Sequence, residues 1–364
     1  MQGQRWTRRG FLSSLAVSGL AAKIKGEVYP SERVRYLDPS TEFPVVRLTS
    51  PDHSSFLPAP CQRAISRKRA FLIFSSDRTG SPQLMQMFLN TGEALRLTEA
   101  ADLDASSPAL SADDKGVFFF DGPVLRHLTF TGQRGREVYR VPEGWKRARG
   151  FSISPEGAQA FLVEEKDGRW RLRKVPLGAG EGQPATVFEA PAPLGDPLPR
   201  PRHQEILFRE GDGSLVLAGG DGGLRQRLPL EPGPVDHAFW ATDGESLLYL
   251  RLPTGPDRLS TIREWVEAAG KERLVAQTSQ YAAFAPNANG SVFVGASANK
   301  GSPYVLLLLR ITRRELALCE HRASDAAMTS PLFSPDSQRV FFQSDRHGKS
   351  AIYMVAVERL VEST

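Results

Sequence analysis

Seven times along this 364-residue chain, a polar turn rich in Asp, Gly and Pro is followed by an apolar run of strand length. Near the C-terminus, Phe333-Ser334-Pro335-Asp336-Ser337 leads into Val340-Phe341-Phe342, then a second turn and Ala351-Ile352-Tyr353-Met354-Val355. Near the N-terminus, Ser66-Arg67-Lys68-Arg69 leads into Phe71-Leu72-Ile73-Phe74, then a turn and Leu84-Met85-Gln86-Met87-Phe88. Between them lie Ser111-Ala112-Asp113-Asp114 before Val117–Phe120, Ser154-Pro155-Glu156-Gly157 before Ala160–Val163, and a worn copy, Arg200-Pro201-Arg202-His203, before Ile206–Phe208. Thr242-Asp243-Gly244 before Leu247–Leu250 and Asn287-Ala288-Asn289-Gly290 before Val292–Val294 complete the set. Starting points at 66, 111, 154, 200, 242, 286 and 334 give units about 44 residues apart, the period of four-stranded propeller blades. Two-helix repeats of that length would need long stretches of 3.6 periodicity, which this chain lacks.

Each unit needs an outermost strand. Leu95-Arg96-Leu97-Thr98 and Leu125-Arg126-His127-Leu128-Thr129 supply one, and Val45-Val46-Arg47-Leu48-Thr49 matches them, whereas the last unit stops after Val355-Ala356-Val357. The expectation is an all-β, seven-bladed propeller over residues 42–360, closed by the N-terminal strand so that only short, protected edges remain. Its 32 Gly and 27 Pro serve the turns. The Gly- and Pro-rich stretch from Gly178 to Pro201 shows no strand pattern and reads as a long loop. Gly219-Gly220-Asp221-Gly222-Gly223 lacks the strand–loop–helix context and the following Lys of a phosphate loop, so it reads as a hairpin turn.

Residues 1–25 stand apart. Thr7-Arg8-Arg9-Gly10-Phe11-Leu12 places a twin-arginine pair before an apolar run from Phe11 to Ala22, too short to span a bilayer and laid out as an export signal of the route that carries folded proteins. A linker over 26–41 follows. These features predict a periplasmic or extracellular protein with no membrane span in its mature form. The net charge of +5 is spread along the chain, which argues against nucleic acid and suits a small anionic ligand. Cys61 and Cys319 fall in different units and are not expected to form a disulfide.

None of the six histidines is paired at a spacing that local metal sites use. His237 differs from the others because it opens the inner strand of its unit, which borders the central channel. Its intrinsic pKa near neutrality makes it the candidate general base.

Asp236-His237-Ala238-Phe239-Trp240-Ala241-Thr242-Asp243-Gly244 resembles the His-Glu-Phe-Trp-x-x-Asp-Gly segment of the oligogalacturonate lyases. The likeness runs on through Arg47-Leu48-Thr49, Leu194-Gly195-Asp196-Pro197, Phe208-Arg209-Glu210-Gly211, Gly290–Gly295, Leu318-Cys319-Glu320-His321 and Phe333-Ser334-Pro335-Asp336. The resemblance implies a lyase that cleaves pectin-derived oligosaccharides by β-elimination. In that family a histidine removes the C5 proton of a galacturonate and a bound manganese ion stabilises the resulting enediolate. His237 matches the family's base. The family's metal ligands read Tyr281, Met328 and Ser330 here, which are poor manganese donors, so no metal or other cofactor is expected. Arg209, Arg263, Tyr281 and His321 are the expected substrate-binding residues, with Arg209 or Arg263 as the cation taking the metal's place. The alternative is a non-catalytic extracytoplasmic propeller that binds an acidic sugar or a protein partner.

Overall fold

A computed structural model describes residues 26–68, 70–178, 182–255 and 259–362. The export segment expected at 1–25 lies outside the described residues. Those described form seven antiparallel sheets; in five of them the strands follow one another in chain order from the channel outward, and in the other two strands from the N-terminal segment are added on the outer side. Blade 1 runs through Ser55–Phe56, Phe71–Ser76, Gln83–Phe88 and Ala94–Arg96; blade 2 through Ala109–Leu110, Gly116–Asp121, Val124–Thr129 and Gly135–Arg140. Blade 3 is Lys146–Ile153, Gln159–Lys166, Arg169–Pro176 and Ala185–Ala190; blade 4 is Leu194–Pro199, Glu205–Glu210, Ser214–Gly219 and Leu224–Arg227. Blade 5 is Val235–Trp240, Ser246–Arg251, Thr261–Val266 and Lys271–Gln277; blade 6 is Tyr281–Pro286, Val292–Ser297, Tyr304–Leu309 and Glu315–Glu320. Blade 7 begins with Leu332–Phe333, Arg339–Ser344 and Ala351–Ala356, and Pro44–Arg47 then pairs antiparallel with the last of these, Val45 opposite Val355.

Three stretches differ from the sequence reading. The segment 125–129, expected as an outermost strand, belongs to the third strand of blade 2, and Gly135–Arg140 lies outside it. The segment 26–41, expected as a linker, carries Val28–Tyr29 as a fifth strand on blade 1 and Val34–Leu37 as a fifth strand on blade 7. The loop expected over 178–201 holds the outer strand of blade 3 and the inner strand of blade 4. Thr186-Val187-Phe188 has the β-branched and aromatic residues a strand needs, but only Val187 and Ala190 of that strand are buried, so no clean alternation survives. Pro197 and Pro199 are tolerated because an innermost strand is a sheet edge, where no partner awaits the missing N–H. The Gly219–Gly223 stretch is a tight turn between two strands, with the Gly222 N–H donating to Gly219 O at 3.0 Å.

The middle strands carry the core. Phe74, Phe120, Phe208, Tyr249, Phe293 and Phe342 all come from second strands and are at most 1% exposed. Their rings fill the wedges between neighbouring blades, each burial contributing roughly 1.5–3 kcal/mol. Arg200, in the turn of blade 4, is 2% exposed, and its Nε donates at 2.6 Å to the carbonyl of Gly244 in the turn of blade 5. Cys61 and Cys319 are free thiols. Among the described residues no helix is long and apolar enough to cross a membrane.

Candidate functional site

The blade turn sets the site. In every blade one N–H closes the turn by donating to the carbonyl five residues on: Ser66 to Phe71, Ser111 to Gly116, Ser154 to Gln159, Arg200 to Glu205, Ala241 to Ser246, Asn287 to Val292 and Ser334 to Arg339. Four residues before each donor lie Gln62, Ser107, Gly150, Asp196, His237, Ala283 and Ser330. Six of these seven equivalent positions, all but Ala283, line one cavity of about 740 Å³ at the end of the channel. At Gly150, Asp196, His237 and Ser330 the backbone is left-handed, with φ of 97°, 46°, 46° and 44°. In blades 3, 4 and 5 the pairing register of the inner strand slips at this point. A bulge there re-aims the side chain toward the channel. For the three residues with a Cβ this geometry costs roughly 1–2 kcal/mol each, strain of the kind that collects at ligand sites.

His237 is held by its own neighbour. Its backbone N–H donates to Asp236 Oδ1 at 2.8 Å, and Asp236 Oδ2 stands 3.5 Å from its Nδ1. The ring is only 10% exposed, and Nδ1 is buried without a hydrogen-bond partner among the described residues. Phe284 presents its ring to the imidazole at 6.4 Å, nearly edge-on. Burial works against ionisation of Asp236, but its hydrogen bonding to His237 and the Arg209 guanidinium outweigh it and hold the carboxyl at about 2. Asp236 is therefore an anion beside the imidazole throughout the neutral range.

Three arginines bring positive charge to the cavity. Arg209 Nε donates to Asp196 Oδ2 at 3.0 Å, and Arg149 Nε lies 3.3 Å from the other oxygen of the same carboxylate. Arg147 pairs with Asp104 at 2.5 Å. Arg149 is 81% exposed and free to move onto a ligand, whereas Arg209 is 19% exposed and fixed. Gln62, braced by its bond to the Phe151 carbonyl at 2.5 Å, and Gln343, which bonds Leu57 N and Met328 O, complete the polar wall. Sequence reading missed Arg147, Arg149 and Gln62. The count back from the turn would have found Gln62 directly and the two arginines as neighbours of Gly150.

Of the residues expected to bind substrate, Arg209 joins His237 in the cavity, and Arg263, Tyr281 and His321 do not line it. Arg263 sits on the third strand of blade 5 and is taken up by Glu231 and Glu272, each at 2.8 Å. Tyr281 is 1% exposed and lies flat on Gly295, where an added Cβ would sit 2.1 Å from the ring. His321 is 1% exposed and satisfied at both nitrogens: Nε2 lies 3.0 Å from Ser297 O, and Nδ1 accepts from the Ala323 N–H at 3.0 Å. It is a structural histidine, kept neutral by burial. Met328 and Ser330 do reach the cavity. A thioether, a hydroxyl and a buried phenol do not make a manganese site, and among the described residues no group of three or more His, Cys, Asp and Glu side chains could hold a metal ion.

The fold is a seven-bladed propeller with a candidate ligand cavity at the end of its channel. No family model matches the chain. It is 23% identical to the oligogalacturonide lyase of Pectobacterium atrosepticum over 92% of this chain and 98% of that protein. It is likewise 23% identical to the oligogalacturonate lyase of Dickeya dadantii over 88% of this chain and 95% of that one. A solved oligogalacturonate lyase in complex with manganese superimposes with a TM-score of 0.85 at 23% identity, covering 92% of this chain and 98% of its own. The oligogalacturonate lyase of Vibrio parahaemolyticus gives 0.84 at 22% identity over 92% and 99%. In sequence and in fold the chain is a relative of the oligogalacturonate lyases.

Proposed function

We propose that this protein cleaves uronate-containing, pectin-derived oligosaccharides by β-elimination, with His237 as the base. The observation that supports this most is the setting of His237: a left-handed, bulged position that turns a largely buried imidazole toward the channel beside an anionic carboxylate. Asp236 favours the tautomer with its hydrogen on Nδ1, which leaves the Nε2 lone pair to take a proton. The C5–H bond of a uronate is weakly acidic because its carboxylate is already charged. As His237 removes that proton, a C4–C5 double bond forms and the C4–O bond breaks, the departing oxygen being protonated by solvent. Negative charge builds on the uronate carboxylate during the step. Arg209, prepositioned by Asp196, and the mobile Arg149 are the cations available to hold it, and loss of one such donor lowers turnover by about 10²–10³-fold. The donors at the family's metal positions do not fit manganese, and no step is routed through a metal.

The mismatch at the metal positions also favours a second reading, a propeller that binds the acidic sugar without turning it over. The absorbance of the unsaturated product separates the two. Digalacturonate and trigalacturonate mixed with the protein, with and without manganese, should give a manganese-independent rise. His237→Ala should abolish the rise and leave binding of the sugar largely intact. No rise with the unsubstituted, folded protein refutes the lyase reading. Export by the twin-arginine route, and action in the periplasm or outside the cell, belong to the same proposal, because pectin fragments arise outside the cytoplasm.

A further inference from the structure

A second concavity, of about 220 Å³, lies on blade 3 and is lined by Trp145, Arg169, Trp170, Glu189, Ala190 and Pro191. Its position follows from the register. Lys146 faces Glu165, Glu165 faces Trp170 and Trp170 faces Ala190, so one row crosses the blade at the end where its inner strand begins. That same inner strand carries Arg147 and Arg149 into the main cavity. From Trp145 to Gly150 the strand spans at most about 16.5 Å at 3.3 Å per residue, so the groove lies within an oligosaccharide's reach of the cavity mouth.

Trp145 is braced from below. The Arg171 guanidinium lies 3.6 Å from the centre of its indole, Arg171 Nε donates at 2.7 Å to Glu164, and Glu164 is fully buried and also accepts from Tyr139 Oη at 2.6 Å. A buried carboxylate is thus committed to fixing one arginine under a partly buried ring. Arg169 beside it is 76% exposed and bound only loosely, at 3.4 Å, by the exposed Glu189. An exposed pair of this kind contributes little and is easily exchanged. Two indoles and a cation that a ligand can recruit fit the C–H face and carboxylate of a uronic acid.

We infer that this groove is an outlying subsite for an unreacting sugar of a longer acidic oligosaccharide whose reacting residue occupies the main cavity. The inference rests on the lyase reading for the identity of the sugar, and binding measurements separate the two. Calorimetric titration of the full-length His237→Ala protein should show tetragalacturonate binding about tenfold tighter than digalacturonate, equivalent to about 1.4 kcal/mol. Trp170→Leu and, independently, the exposed Arg169→Ala should remove most of that preference and leave the affinity for digalacturonate unchanged. Equal affinity for both lengths, a preference that survives both substitutions, or no binding at either length overturns the subsite. Product formed from digalacturonate without any length preference would refute the groove and keep the lyase. A groove-dependent preference without product would do the reverse.

Discussion

Gly150→Ala tests how the channel site is held. The residue has φ of 97°, and an added Cβ would stand 2.5 Å from Asp196 N, 2.7 Å from Pro197 Cδ and 2.9 Å from Asp196 Cα. Two of these three atoms are backbone, so neither a rotamer change nor a small adjustment clears them. Gly80 is the control: its φ is 94° and nothing lies within 4 Å of its added Cβ. Left-handed backbone costs an L side chain roughly 1–2 kcal/mol, a term common to both variants. Overpacking at Gly150 adds about 1–3 kcal/mol, giving about 2–5 kcal/mol in total. Denaturant titration of the two variants beside the parent reads the difference directly. The same displacement moves Asp196, the shared anchor of Arg209 and Arg149, so digalacturonate affinity should fall in Gly150→Ala and hold in Gly80→Ala. Equal destabilisation of the two variants, or unchanged ligand affinity in Gly150→Ala, would refute the reasoning.

Asp236, held at about 2 when folded, stabilises the native state above the ordinary carboxylate range near 3.9 and loses that contribution as pH falls through 2. The stability gap between the parent and Asp236→Asn, followed by acid titration, should therefore narrow below pH ~4; a gap that widens there would contradict the assignment. Glu164→Gln breaks the buried pair with Arg171 and should cost about 3–5 kcal/mol in denaturant unfolding, with a loss below 1 kcal/mol refuting its bracing role. Dialysed protein should show no melting shift on adding manganese. Saturation at a hundred times the dissociation constant would raise stability by about 2.7 kcal/mol, so an upward shift would show that a metal site exists.

The blades were readable from the sequence because a turn and the apolar run after it are local: Ser334-Pro335-Asp336 before Val340-Phe341-Phe342 carries its own chemistry. The blade 3–4 boundary was not, since the strand Ala185–Ala190 buries too few side chains to alternate and the next strand is broken by Pro197 and Pro199. At the site, His237 was legible because it stands four residues before a well-formed turn. Tyr281 lies two residues before the equivalent position in blade 6, and its bulge turns the ring onto Gly295 instead of into the channel. Arg263 and His321 stand outside the cavity lining for a related reason. Residue type names what a side chain can do, while the strand's place in the blade decides what it can reach. The arginines that do face the cavity, Arg147 and Arg149, come from a basic stretch, Lys146-Arg147-Ala148-Arg149, that on its own reads as solvated surface.

The N-terminal segment grips the ring on both sides of its seam, one short strand on blade 1 and two on blade 7, with the Ile352 N–H donating to Thr49 Oγ1 across 303 residues of sequence. Contacts this distant form late, because the entropy of closing so large a loop must be met before any pairing rewards it. A chain emerging from the ribosome makes the clasp first and its partner last. Until Ala351–Ala356 arrives, the nascent protein is an open arc with an unpaired flank at each end, and its most aggregation-prone interval is therefore set by synthesis time rather than by the stability of any blade.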